Sequence, residues 1–381
     1  MTDVIQPCPI EIPESALDDL KKRLANTRWP DRETPEDWSQ GIPLAYMREV
    51  VAYWASEYDW RRCEARVNRL GPFKMTLDGL GIHFLHLRSP RDDALPLVMT
   101  HGWPGSVVEF LEVIGPLADP TAHGGDVADA FHVVCPSLPG YGFSDKPAEP
   151  GWGCGRIARA WAELMRRLGY RRYVAQGGDW GALVTTEIAL ADPGHCAGIH
   201  LNMPIVMPDP ETMADLTPLE QSALESLKYY QDWDSGYSKQ QSTRPQTLGY
   251  GLVDSPAGQA AWILEKFWAW SDHGEDLWQT FARDRFLTNV MLYWLPGSVL
   301  SSARIYYETF FNMPKELRSG RVEVPTGYAR FPAEPWAPPR DVAARQYNLI
   351  YYSEPPRGGH FAAMEQPELW AADVATFFSR I

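Results

Sequence analysis

The chain has 381 residues, 45% apolar and 22% charged, which is the balance of a folded globular protein and excludes a disordered one. Asp plus Glu outnumber Lys plus Arg by 49 to 35, so the net charge is -14 and neither nucleic acid nor an anionic membrane surface is an expected partner. Five scattered cysteines without a CxxC pair exclude a disulfide framework and a zinc site, and the start MTDVIQPCPIEIPES has neither the basic nor the apolar stretch of a signal peptide.

Taken in chain order, residues 1–92 read as a prelude. After Pro13, Leu17, Leu20 and Leu24 recur at helical spacing, and residues 44–62 carry a second helical pattern. Residues 76–87 read as a β-hairpin turning at Asp78-Gly79. From about residue 93 the pattern changes to short apolar runs alternating with helical stretches. Residues 95–100, 131–135 and 172–176 predict buried strands, and two more fall near 322–325 and 347–352. Helices are predicted at 107–117, 157–168 and 182–190. Such alternation means an α/β fold with a mostly parallel sheet and right-handed crossovers. Residues 207–300 break the rhythm. They are helical and aromatic with no strand pattern, which predicts a lid inserted over the end of the sheet. The expected organisation is therefore a 1–92 segment packing on the core, a first core half at 93–206, the lid at 207–300 and a second core half at 301–381. No apolar run approaches the ~18 residues of a spanning helix, so a soluble cytoplasmic protein is expected. With 16 Trp, 17 Tyr and 14 Phe, the chain has aromatic surface for a large core or an apolar pocket.

Three motifs carry chemistry. In Gln176-Gly177-Gly178-Asp179-Trp180-Gly181-Ala182, small residues flank Asp179 between a strand and a helix, at the spacing of a nucleophile elbow. A plain helix N-terminus with Asp179 as its cap is the alternative. His101-Gly102-Trp103-Pro104-Gly105-Ser106 ends the first buried strand. There the backbone N–H of Trp103, with that of Trp180, would form an oxyanion hole; a Gly/Pro turn is the bland alternative. Gly358-Gly359-His360-Phe361 follows the last strand and places one of nine histidines after the nucleophile and an acid, in hydrolase order. For the acid, Glu334 in Phe331-Pro332-Ala333-Glu334 is preferred over Asp341, which also suits a helix start. An aspartate in place of serine changes the chemistry. Attack on saturated carbon by serine would leave an ether, whereas a carboxylate leaves an ester that water can cleave. The elbow thus points to substitution at an sp3 carbon, as in an epoxide or alkyl halide. His83 and His86 lie three apart on a strand and face opposite ways, so they form no metal pair.

With these motifs in place, the chain resembles the microsomal-type and juvenile-hormone-type epoxide hydrolases of the α/β-hydrolase superfamily. Thr27-Arg28-Trp29-Pro30-Asp31, Tyr58-Asp59-Trp60-Arg61 and Gly81-Ile82-His83-Phe84-Leu85-His86 look like that family's N-terminal meander. THGWPGS at 100–106, GGDWG at 177–181, LTNVMLYW at 287–294 and RGGHFAAMEQP at 357–367 match its core. The resemblance implies an α/β-hydrolase fold with mostly parallel central sheet, N-terminal meander and helical lid. It implies Asp179 as nucleophile, His360 as general base, Glu334 as its acid partner, and a cis Trp103-Pro104 peptide in the oxyanion loop. It also implies two tyrosines activating the epoxide oxygen: Tyr237, and Tyr306 in preference to adjacent Tyr307. No cofactor and no metal are expected, and the substrate would be a small apolar epoxide opened to a vicinal diol. Mammalian microsomal members carry a membrane anchor ahead of the meander, where this chain begins, so no anchor is expected; a homo-oligomer stays open. Two other readings stand beside this one. A haloalkane dehalogenase would use the same Asp nucleophile and grip halide with the Trp103 and Trp180 indoles. An inactive hydrolase fold would bind apolar ligands without turnover.

Overall fold

A computed structural model describes residues 4–206, 216–312 and 320–381. Among the described residues nine strands form one sheet: β1 Gln6–Pro7, β2 Pro72–Leu77, β3 Leu80–Leu87, β4 Leu95–Thr100, β5 Phe131–Pro136, β6 Tyr173–Gly177, β7 Cys196–Leu201, β8 Val322–Ala329 and β9 Tyr347–Ser353. Their spatial order is β1-β2-β3-β5-β4-β6-β7-β8-β9. Pairing is antiparallel from β1 to β5 and parallel from there to β9. The β2–β3 hairpin turns through Asp78 and Gly79, both at positive φ (46° and 80°), the geometry that an Asp-Gly pair favours.

The central strands are buried on both faces, which is why they read as continuous apolar runs. Leu97, Val98 and Met99 of β4 and Val174 and Ala175 of β6 have 0% exposure. Helix Cys154–Arg167 packs against helix Trp180–Ala191, and Pro367–Phe378 packs against Ile114–Ala118.

Three local expectations are corrected. The 44–62 pattern is two helices, Leu44–Ser56 and Trp60–Arg69, because the Asp59 side chain accepts the Arg61 N–H and starts a new helix. The 107–117 stretch is a 3-10 turn at Val107–Phe110 and a short helix at Ile114–Ala118. Pro116 is tolerated only in a first helical turn, so the helix cannot run through it from 107. Strand β7 was not expected: Cys-Ala-Gly-Ile-His-Leu is too short and too rich in small residues to show a strand pattern.

The 207–300 segment, expected as a lid, is helical among its described residues, with Pro218–Tyr229, a π-helical turn Tyr230–Asp234, then Gly236–Thr243, Pro245–Leu252, Pro256–Ala269, Leu277–Thr280 and Arg283–Trp294. Helix Val299–Asn312 packs on Gly236–Thr243 and Pro245–Leu252. The N-terminal helices reach the lid too. Glu14–Ala25, which buries Leu17, Leu20 and Leu24, packs on Pro256–Ala269, as does Leu44–Ser56. Trp38 stacks on Trp268 of the lid at 3.8 Å, and Tyr53 Oη donates to Asp284 at 2.8 Å. Part of the tryptophan content thus joins the N-terminal segment to the lid. No helix among the described residues is long and apolar enough to cross a membrane.

Candidate active site

The parallel strands deliver four loops to one end of the sheet, the end where open α/β sheets bind ligands. β4 leads into His101–Ser106, β6 into Asp179, β8 into Phe331–Glu334 and β9 toward His360. Asp179 has φ 51° and ψ -128°, one of two non-glycine residues at positive φ among those described. This is a strained turn of the kind that clusters at functional sites. The flanking glycines make it feasible. A Cβ on Gly181 would overlap the Thr100 carbonyl, and one on Gly177 would overlap the Gly181 carbonyl. A Cβ on Gly102 would strike the Asp179 side chain itself. The cap reading of Asp179 does not describe this geometry, since its side chain makes no capping hydrogen bond.

The carboxylate faces two different groups. The Trp103 N–H donates to Asp179 Oδ1 at 2.8 Å, while Oδ2 lies 3.5 Å from His360 Nε2. The Trp180 N–H begins its helix and so has no intrahelical acceptor. His360 Nδ1 lies 2.9 and 3.0 Å from the two oxygens of Glu334, which is 6% exposed. Asp341 is an exposed residue of the following helix, capped by Pro339. Burial opposes protonation of His360, but the charges of Glu334 and Asp179 overcome it and hold the imidazole well above its usual range. The Trp103–Pro104 peptide is cis.

Two tyrosine rings pack on Trp103. Tyr237 stacks on it (4.8 Å, 9°) and Tyr306 meets it edge-on (5.9 Å, 88°), the two rings being 5.7 Å apart. Tyr306 also packs on Trp180 at 4.6 Å. Tyr237 Oη lies 3.1 Å from Tyr230 Oη, and Tyr306 Oη is buried without a hydrogen-bond partner among the described residues. Burial pushes both hydroxyls well above 10, so both are neutral donors. Tyr307, one residue on, is 41% exposed against 2% for Tyr306. A cleft of about 1960 Å³ between the N-terminal segment and the lid reaches Tyr237, Trp270 and Glu334.

Sequence reasoning missed the residues that brace these loops. Asn289 donates to the Pro104 carbonyl (2.8 Å) and accepts from Ser106 (2.7 Å), and Tyr293 donates to the Gly105 carbonyl (2.5 Å). Helix Arg283–Trp294 therefore fixes the His101–Ser106 loop. Glu365 accepts the Phe361 N–H at 2.9 Å and the Asp272 N–H at 2.8 Å, tying the His360 loop to the lid; burial pushes its carboxyl up to about 7. Glu109 lies against Gly105 and is pushed up to about 8 by burial. The signal was present in the motif spacing, since Asn289 and Tyr293 sit four apart on one helix face. His101, beside the site, is structural: it accepts the Leu138 N–H at 3.2 Å, and burial lowers it to about 4. No cluster of three or more potential metal ligands occurs among the described residues.

Residues 5–110 match the family model for the epoxide hydrolase N terminus, and residues 96–248 match that for the alpha/beta hydrolase fold. A relative from Stigmatella aurantiaca is 54% identical over 378 residues, covering 99% of this chain and 85% of its own length. Epoxide hydrolase 1 of Oryctolagus cuniculus is 38% identical over 402 residues, covering 98% of this chain and 88% of that one. The chain belongs to the epoxide hydrolases of the α/β-hydrolase fold. The crystal structure of juvenile hormone epoxide hydrolase from the silkworm Bombyx mori matches this epoxide hydrolase chain with a TM-score of 0.89 at 32% identity, covering 100% of this chain and 95% of that one.

Proposed function

We propose that this enzyme opens a small apolar epoxide to a vicinal diol through a covalent ester on Asp179. The observation that carries the reading is the divided environment of the Asp179 carboxylate, with Oδ1 on the Trp103 amide and Oδ2 toward His360. In the first step Oδ2 attacks an epoxide carbon. The C–O bond breaks, and Tyr237 and Tyr306 hydrogen-bond the departing oxygen, one of them transferring its proton. Oδ1 remains as the ester carbonyl and already lies on the oxyanion donor.

In the second step His360 takes a proton from water, which attacks Cγ of the ester. Esterification removes the charge of Asp179, one of the groups that hold the His360 proton, while burial still disfavours the imidazolium. The same change that creates the ester therefore prepares the base. Glu334 orients the ring and stabilises the imidazolium that forms. Collapse of the tetrahedral intermediate passes its hydroxyl proton to the departing alkoxide, releases the diol and regenerates the carboxylate, and the proton held by His360 returns to the tyrosinate through solvent.

The Trp103 and Trp180 indole N–H groups are buried without hydrogen-bond partners among the described residues, which also suits a halide. The tyrosine pair distinguishes the two readings, because halide needs no proton. Tyr237→Phe and Tyr306→Phe singly should each leave one donor. Together they should lower diol formation from styrene oxide roughly 10²–10⁴-fold. Steady-state diol assays check this; undiminished diol formation by the double variant would remove the tyrosine pair from the mechanism, and halide release from a bromoalkane without diol formation from an epoxide would favour the dehalogenase.

A further inference from the structure

The steps above leave unused a buried cation that touches Tyr237. Lys266, on helix Pro256–Ala269, is 4% exposed. Its Nζ lies 2.5 Å from Asp234 Oδ1, 3.2 Å from the Asp234 carbonyl and 2.7 Å from Glu265 Oε2. The same ammonium is 4.8 Å from the centroid of the Tyr237 ring and 5.4 Å from that of Trp270. Trp103 stacks on Tyr237 at a centroid distance of 4.8 Å and an angle of 9°. The Tyr237 ring is thus in contact with both the Trp103 indole and the Lys266 ammonium.

The position of the cation is fixed. Asp234, in the π-helical turn that also carries Tyr230, accepts Trp270 Nε1 through its other oxygen at 2.5 Å. Trp270 in turn accepts the His360 N–H on its carbonyl at 2.8 Å. Burying an ion pair seldom stabilises a fold more than an apolar pair of similar size would. Packing alone therefore does not account for an ammonium here.

Ring opening does. When the epoxide C–O bond breaks and Asp179 bonds to carbon, the electron pair passes to the ring oxygen. If the Tyr237 proton follows, a phenolate remains. Burial opposes that charge, as do Tyr306, Tyr230 and Asp179 around it. The positive charge that faces the ring is the Lys266 ammonium, 4.8 Å from its centroid, with Asp234 and Glu265 as counter-charges. A fixed cation over an aromatic face attracts the ring more strongly as negative charge builds, so its effect is larger in the transition state than in the ground state.

We propose that Lys266 is an electrostatic positioning residue for Tyr237, its ammonium stabilising the phenolate character that Tyr237 acquires as the epoxide opens. The inference rests on the proton-donor role proposed above for Tyr237.

Rapid-quench single turnovers with styrene oxide separate the alkylation rate from the ester-hydrolysis rate. Lys266→Met should slow alkylation about tenfold and leave ester hydrolysis within about twofold, the size of a desolvated cation–π contact. Lys266→Arg should keep the alkylation rate. The triple variant D234N/E265Q/K266M removes all three charges and leaves no unpaired carboxylate beside position 266; it should be as slow in alkylation as K266M, and it decides the matter where K266M does not fold. In a Tyr237→Phe background, K266M should have no further effect. Wild-type alkylation by D234N/E265Q/K266M, an equal loss in both steps, or a full K266M effect without Tyr237 would each overturn the proposal. Wild-type alkylation by Tyr237→Phe alone would overturn the donor role of Tyr237 itself, and is recognisable as such because Lys266 is intact.

Discussion

Asp179→Asn is expected to lower diol formation by roughly 10⁴-fold or more, as when a nucleophile that works as part of a unit is removed. The substitution leaves the fold in place. Asparagine is among the few residues that accept positive φ, so the turn at φ 51° is retained, and its carbonyl oxygen can still accept the Trp103 N–H. What is lost is the carboxylate oxygen beside His360 that the proposed mechanism uses as nucleophile. The check is a diol assay on variant protein whose mass proves that the introduced amide has not deamidated. Near-wild-type turnover by such protein would remove Asp179 from the mechanism.

His360→Gln is expected to separate the two steps. In the proposed mechanism attack by Asp179 does not need the imidazole as a base, whereas ester hydrolysis does. Turnover should fall roughly 10²–10⁴-fold, the usual contribution of a general base. Ester should therefore accumulate, and intact-mass measurement of the variant mixed with styrene oxide should show the protein plus one substrate. The lost imidazole is also the side chain that bonds Glu334 on one edge and faces Asp179 on the other. Full turnover with no adduct would contradict the base role. An inactive variant with no adduct would instead show that His360 is needed for the first step.

The α/β alternation is legible in the sequence because β4 and β6 are buried on both faces and so leave unbroken apolar runs. The elbow is legible because its glycines are sterically required. Gly177 and Gly181 stand where backbone carbonyls leave no room for a Cβ, and that constraint shows in the letters. The assignments of Glu334, Tyr237 and Tyr306 lean on family resemblance. Their positions depend on how distant segments come together, which no local spacing records. For the same reason Lys266 is invisible in the letters: in Pro256–Ala269 it reads as an ordinary helix lysine, and only the fold brings Asp234 and Tyr237 to it. Asn289 and Tyr293 sit inside a recognised motif, yet their bonds to the His101–Ser106 loop cross 185 and 188 residues of chain. Strand β7 is hidden by its small residues, and the break in the 107–117 stretch is hidden because its apolar spacing outweighs the signal of a single Pro116.

The covalent ester is the central claim, and an isotope experiment tests it most directly. Enzyme in excess over styrene oxide is allowed one turnover in water labelled with oxygen-18, and the diol and the peptide containing Asp179 are then weighed. The ester route predicts an unlabelled diol, because its new oxygen comes from Asp179, and an oxygen-18 atom in the Asp179 carboxylate. A labelled diol with an unlabelled Asp179 would mean that water attacks the epoxide directly, and would contradict the ester.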